Sequence, residues 1–295
     1  MSTELSRIAE KAKTGPRLRF TSLAHLLTPK FLKETWKQMN RHGASGVDGE
    51  TIRDYERDLD GRIGDLHERL KAGRYKALPV RRVNIPKGNG KTRLLGIPTV
   101  EDRLVQRAFA RILEAIYEAD FYDVSYGFRP GRNPHQALRR LRECIMAEKV
   151  GYVFEADIRG YFNHINHSWL IRMLRARIRD TRILRLIEKW LRAGAMENGV
   201  VRVTGEGTPQ GQYHRSWRTP IFITCSTAGS NSAARGNSMV RHRLSVSRMT
   251  VRHEGKRADS PEAMLSRRWG RALRSRQTGG GSKPPQAAVG EKPWW

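Results

Sequence analysis

Regular hydrophobic patterning runs through the first 211 residues of this 295-residue chain and then stops. Residues 212–295 hold 16 Lys and Arg against 4 Asp and Glu, are dominated by Ser, Arg and Gly, and show neither the helical nor the strand period. A segment that cannot gather apolar side chains on one face has no burial to offset the entropy of ordering its backbone, so the expectation there is a disordered basic tail. A packed core must then come from residues 1–211, which is length enough for one large domain.

Charge narrows the function. Lys and Arg number 56, Asp and Glu 29, and the formal net charge is +27 with a pI near 11. Self-repulsion of that size is tolerated when an acidic partner is at hand, and the abundant intracellular polyanion is nucleic acid. The two cysteines, Cys144 and Cys225, are too few for a disulfide framework or a zinc-finger ligand set, which makes the cytoplasm the expected compartment. The N-terminus lacks the apolar core of a signal peptide, and no stretch approaches the roughly 20 apolar residues that span a bilayer, so no membrane partner is expected.

Periodicity and turn residues predict an α+β chain. Thr28-Pro29 opens a helix reaching about Arg41, and Asp48 caps a second with Ile52, Tyr55, Leu59, Ile63, Leu66 and Leu70 on one face. Val80, Val83 and Ile85 mark a strand that ends at Pro86 and the turn Lys87-Gly88-Asn89-Gly90, a basic hairpin. From Val100 to about Tyr117 a continuous apolar stripe runs through Leu104, Ala108, Phe109, Ile112 and Ile116. Asn133-Pro134 starts a helix expected to turn Leu138, Leu141, Cys144 and Ile145 inward. Tyr152–Ile158 reads as a strand, followed by helices near Ser168–Arg177 and Asp180–Ala193.

The sharpest chemical feature is Asp157 at the end of that apolar strand, with Tyr161 and Phe162 just beyond. A divalent cation is one natural partner for such a carboxylate; capping the following turn or pairing with Arg159 is another. Tyr126, Phe128, Arg129 and Arg132 combine aromatic faces with guanidinium groups, a composition suited to stacking bases and gripping phosphates.

Five blocks, in order, resemble the group II intron reverse transcriptase/maturase family: Gly43-Ala44-Ser45-Gly46-Val47-Asp48-Gly49; Lys87 through Arg103; Ser125-Tyr126-Gly127-Phe128-Arg129-Pro130-Gly131-Arg132; Ala156-Asp157-Ile158-Arg159-Gly160-Tyr161-Phe162; and Gly207-Thr208-Pro209-Gln210-Gly211. The resemblance implies RNA-directed DNA synthesis with Mg²⁺ and help in intron splicing. The partners would be intron RNA, an RNA template, a DNA primer and dNTPs. The implied fold is a partial right-hand polymerase, with an N-terminal RNA-binding extension over 1–78, fingers and the first half of the palm over 79–211, and the basic tail over 212–295. Asp157 would be the first metal-binding, catalytic aspartate. Lys87, Arg93, Ile158, Phe162 and Gln210 would line the incoming nucleotide, and Tyr126, Phe128, Arg129 and Arg132 the template.

The chain departs from the family in two places. Asn163 stands where relatives commonly carry aspartate, and nothing after Gly211 resembles the Tyr-Ala-Asp-Asp turn, the thumb or the maturase domain. No two acidic residues adjoin anywhere in 212–295. Two-metal catalysis with one contributed aspartate leaves the second metal poorly held, so the expectation is a catalytically incomplete chain. The sudden change of composition is that of an out-of-frame translation of a GC-rich gene; a genuine tail that binds RNA through its charge is the competing account.

Overall fold

The computed structural model describes residues 3–86, 92–127, 129–147, 154–156, 164–203, 205–208 and 249–251. They divide into two compact units. Of these residues the first holds 3–86, 92–122, 129–130, 164–203 and 205–208, and the second 123–127, 131–147, 154–156 and 249–251.

The first unit is organised on α5 (Val100–Tyr117), as its stripe predicts. Thr99 caps it by accepting from the Asp102 amide, and Glu101 and Asp102 place negative charge at its positive end. Its apolar side chains, together with Asp102, Arg103 and Gln106, are buried. Against it pack α1 (Thr3–Thr14), for which the sequence reading has no counterpart, and α2 (Pro29–Trp36). Thr28 caps α2 as expected, but the helix stops at Trp36 instead of continuing to Arg41.

The helix assigned to the segment after Asp48 is in fact two. Thr51 and Asp54 form a reciprocal capping box for α3 (Ile52–Glu56), and Asp58 caps α4 (Leu59–Lys71). Asp48 instead accepts from the Glu50 amide in the preceding turn. A carboxylate able to bond free amides two or three residues ahead starts a new helix when the chain bends there, and the apolar spacing does not register that bend.

Strands β1 (Val80–Pro86) and β2 (Thr92–Ile97) form the antiparallel hairpin the sequence predicts, in register Arg81↔Ile97 through Pro86↔Thr92. Two short strands absent from the sequence reading extend it: β4 (Ala195–Glu197) pairs parallel with β1, and β5 (Val200–Arg202) pairs antiparallel with β4, giving the order β2-β1-β4-β5. Between them α7 (His167–Leu174) and α8 (Thr181–Arg192) bury Leu170, Ile171, Leu174, Ile183, Ile187 and Trp190 in the common core. Trp190 meets Tyr75 and Phe109 edge-on, with ring centroids 6.3 and 5.6 Å apart.

The second unit holds α6 (Pro134–Ala147) and a two-stranded antiparallel pair, β3 (Phe154–Ala156) with β6 (Met249–Val251). Two expectations are corrected here. The apolar side of α6 is turned outward, with Leu138 63% and Ile145 44% exposed, and Cys144 is half-buried rather than buried. A helical stripe reports amphipathicity, and only a packed neighbour turns it into core. Met249–Val251 are the only described residues of the segment 212–295, the rest of which lies outside the described residues.

Candidate nucleic-acid interface

The hairpin that would face nucleotide is fastened at its base by one buried carboxylate. Asp102 accepts from the Tyr75 hydroxyl, from Thr99 Oγ1 at 2.9 Å and from the Leu78 amide at 3.3 Å. Tyr75 in turn accepts from Trp190 Nε1 at 3.0 Å. Burial pushes the Asp102 carboxyl up against the downward pull of its hydrogen bonds, and burial with the adjacent carboxylate pushes the Tyr75 hydroxyl well up. The network joins α5, α8 and the chain entering β1, so the hairpin rises from a rigid base.

Two arginines dock the glycine-rich block 43–49 onto that base. Arg103 Nη2 donates to Ala44 O at 2.8 Å, and Arg81 donates to Ser45 O through Nε and Nη2 at 3.1 and 2.8 Å. Arg103 is fully buried in doing so. Neither Asp102 nor Tyr75 is among the residues singled out from the sequence. The available signal was the Thr99-x-x-Asp102 spacing, which marks a capping pair but not its third and fourth partners.

The residues flanking two further motif blocks are brought together. Gly207 N donates to Ile165 O at 2.8 Å, His167 Nε2 lies 2.7 Å from Gly207 O, Asn166 bridges Glu206, and Thr208 is buried. The chain leaving the Ala156–Phe162 block therefore runs beside the chain entering Gly207–Gly211. Asp157, Ile158, Phe162, Gln210, Lys87 and Phe128 lie outside the described residues. Arg93 is placed by its backbone alone, opposite Ile85 in the hairpin. Among the described residues no group of three His, Cys, Asp or Glu side chains could hold a metal.

Of the expected template contacts, Tyr126 and Arg132 belong to the second unit and lie together, the guanidinium carbon 5.2 Å from the ring centroid. Arg132 also donates to Asp123 O at 3.1 Å, which holds both side chains on one loop. Arg129, in the first unit, is turned inward. Its Nε and Nη2 donate to Glu118 Oε1 at 3.0 and 2.7 Å, its Nη1 donates to Tyr122 O at 2.8 Å, and it stacks 4.6 Å from the Phe121 ring centre. A guanidinium so occupied secures the chain that follows α5.

Residues 85–213 match the reverse transcriptase (RNA-dependent DNA polymerase) family. The chain is 41% identical over 214 residues to protein YkfC of Escherichia coli (strain K12), covering 70% of this chain and 56% of that one. It is 38% identical over 212 residues to the group II intron-encoded protein LtrA of Lactococcus lactis subsp. cremoris, 70% of this chain and 35% of LtrA. Nuclear intron maturase 1, mitochondrial, of Arabidopsis thaliana matches at 34% over 97 residues, 32% of this chain and 13% of that protein. The chain thus spans about half of YkfC and a third of LtrA. With the five ordered motif blocks and the mixed helix–sheet fold, these matches place the chain in the reverse transcriptase family, among the group II intron-encoded reverse transcriptases and maturases.

Proposed function

We propose that this chain is the RNA- and nucleotide-binding part of a group II intron reverse transcriptase/maturase, and that it does not complete DNA synthesis by itself. The observation that carries the reading is the family match over residues 85–213, which starts within the β1–β2 hairpin and runs through α5 to the Gly207–Gly211 block. Lys87 and Arg93 on that hairpin would offset the triphosphate charge, Tyr126 and Arg132 would hold template RNA, and Ile158, Phe162 and Gln210 would contact the incoming nucleotide.

Mg²⁺ would stabilise the phosphate oxygens and the attacking primer hydroxyl. The donor set of this chain does not fit a two-metal centre. The resemblance of the Ala156–Phe162 block implies one metal-binding aspartate, Asp157, and residues 212–295 hold no adjacent acidic pair to complete the site. Binding without turnover is the consequence.

The test is a pair of assays on the purified full chain. Fluorescence anisotropy with labelled RNA should show binding that weakens steeply with salt and is reduced by Arg132→Ala. Primer extension on an RNA template with Mg²⁺ and dNTPs should show no incorporation. Absence of RNA binding overturns the reading. Extension that Asp157→Ala abolishes overturns its second half, showing that the chain is a complete polymerase.

A further inference from the structure

The described arginines differ in what they meet. Many are matched to carboxylates: Arg41 with Glu56, Arg57 with Asp54, Arg69 with Glu101 and Asp65, Arg129 with Glu118, and Arg177 with Asp120. Others, such as Arg7, Arg53 and Arg139, are exposed with no carboxylate among the described residues within ion-pair distance, and five of these fall close together in the chain, on α7, the loop after it and the first turns of α8. Arg172, Arg175, Arg179, Arg182 and Arg185 are all exposed, and no described carboxylate lies within ion-pair distance of any of them. The one acidic residue between positions 164 and 187 is Asp180. It is buried, and its oxygens are taken by the amides of Leu23, Ala24, Arg182 and Ile183.

The same stretch of chain carries an exposed tryptophan. Helical spacing turns Leu170, Ile171 and Leu174 of α7 into the core and leaves Trp169, Arg172 and Arg175 on the solvent side. Trp169 is 55% exposed, whereas Trp36 and Trp190 are buried. The Arg172 guanidinium carbon lies 4.9 Å from the Trp169 ring centroid. A large ring kept in water, braced by a cation and bordered by uncompensated positive charge, has the two elements a single strand requires: a π-face for a base and cations for the backbone. An acidic protein segment would use the charge but has no need of the indole.

We propose that α7 and the α7–α8 corner form a single-stranded RNA site, in which Trp169 stacks an unpaired base and the five arginines face the phosphates. It rests on the RNA-binding reading above and adds a second site to the one assigned to Tyr126 and Arg132.

Fluorescence anisotropy of the full chain with a labelled 12-nucleotide oligouridylate tests it. Trp169→Ala should weaken binding by about tenfold, the lower half of what loss of one base stack costs, and Trp169→Phe should stay within about threefold of the parent. The triple variant Arg172→Ala/Arg175→Ala/Arg179→Ala should reduce the slope of log affinity against log salt by about 2, the value for three phosphate contacts on a single strand. All these side chains are exposed, so circular dichroism should show an unchanged fold. Parent-like affinity and salt slope in the variants overturn the site. So does competition by polyglutamate that is insensitive to Trp169→Ala, which assigns the patch to an acidic protein. If the parent chain binds no RNA at all, the broader reading fails. If the parent binds and only Arg132→Ala weakens it, this site alone fails.

Discussion

Replacing Arg177 with methionine removes a guanidinium that holds the N-terminal helix to the rest of the first unit. Nη1 donates to Gly15 O, Pro16 O and Leu18 O at 2.9, 2.6 and 3.1 Å, and Nη2 donates to Ala12 O at 3.2 Å. Nε lies 3.1 Å from Asp120 Oδ2. Methionine retains much of the volume, so the loss is polar rather than a cavity. Hydrogen bonds to a charged group contribute about 1.5–3 kcal/mol each, but the four carbonyls regain water once residues 12–18 lift away, so their sum overstates the effect. Breaking a buried pair and leaving one partner costs about 3–5 kcal/mol, and that is the expected loss, a large fraction of an ordinary domain's stability. Burial raises the Asp120 carboxyl and Arg177 pulls it back down, so removing Arg177 raises it further. A carboxyl raised in the folded state contributes stability that is present below its unfolded pKa and lost as pH rises through the folded one. The deficit of Arg177→Met should therefore be smallest in acid and full near neutrality, and Asp120→Asn should recover part of it. Urea unfolding across pH, with hydrogen exchange on residues 3–20, measures both effects. A variant within about 1 kcal/mol of the parent, with α1 amides still protected, refutes Arg177 as the tie.

Two further perturbations separate packing from contact with RNA. Arg129→Ala should destabilise the chain after α5 and weaken RNA binding, and the charge exchange Glu118→Arg/Arg129→Glu should recover part of both, because the pair is rebuilt in reverse; if Arg129 touches RNA, the exchange leaves binding as weak as Arg129→Ala does. Gly46→Ala would put a Cβ 2.6 Å from Thr99 Cα and 2.7 Å from Thr99 N, backbone atoms that cannot swing aside, so a loss of at least 1–3 kcal/mol is expected in urea unfolding. Gly64→Ala, in α4 with open space around it, should instead stabilise by roughly 0.5–1 kcal/mol.

Local signals carried the reading where the interactions are local. The α5 stripe, the Thr28-Pro29 start and the paired strands β1 and β2 depend on residues three, four or a few positions apart, and each appears where the sequence puts it. The break at Asp58 escaped the reading because a stripe at helical spacing continues through a bend. The motif order pointed to the family for a similar reason: each block is short and legible by itself.

What the sequence determined by itself is therefore the helices α2 and α5 to α8, the hairpin, the basic surplus and the family. The tertiary structure alone decided what those charges do. It decided that Arg177, Arg129 and Arg103 face inward on carbonyls and carboxylates while Arg172 and Arg175 stay in water, that Asp180 caps α8 and also holds residues 23 and 24, and that the apolar stripe of α6 faces outward. The partners in these contacts are as much as 165 residues apart along the chain. A guanidinium looks the same in the sequence whether it will meet a carbonyl, a carboxylate or solvent, because its environment exists only once distant segments have packed around it.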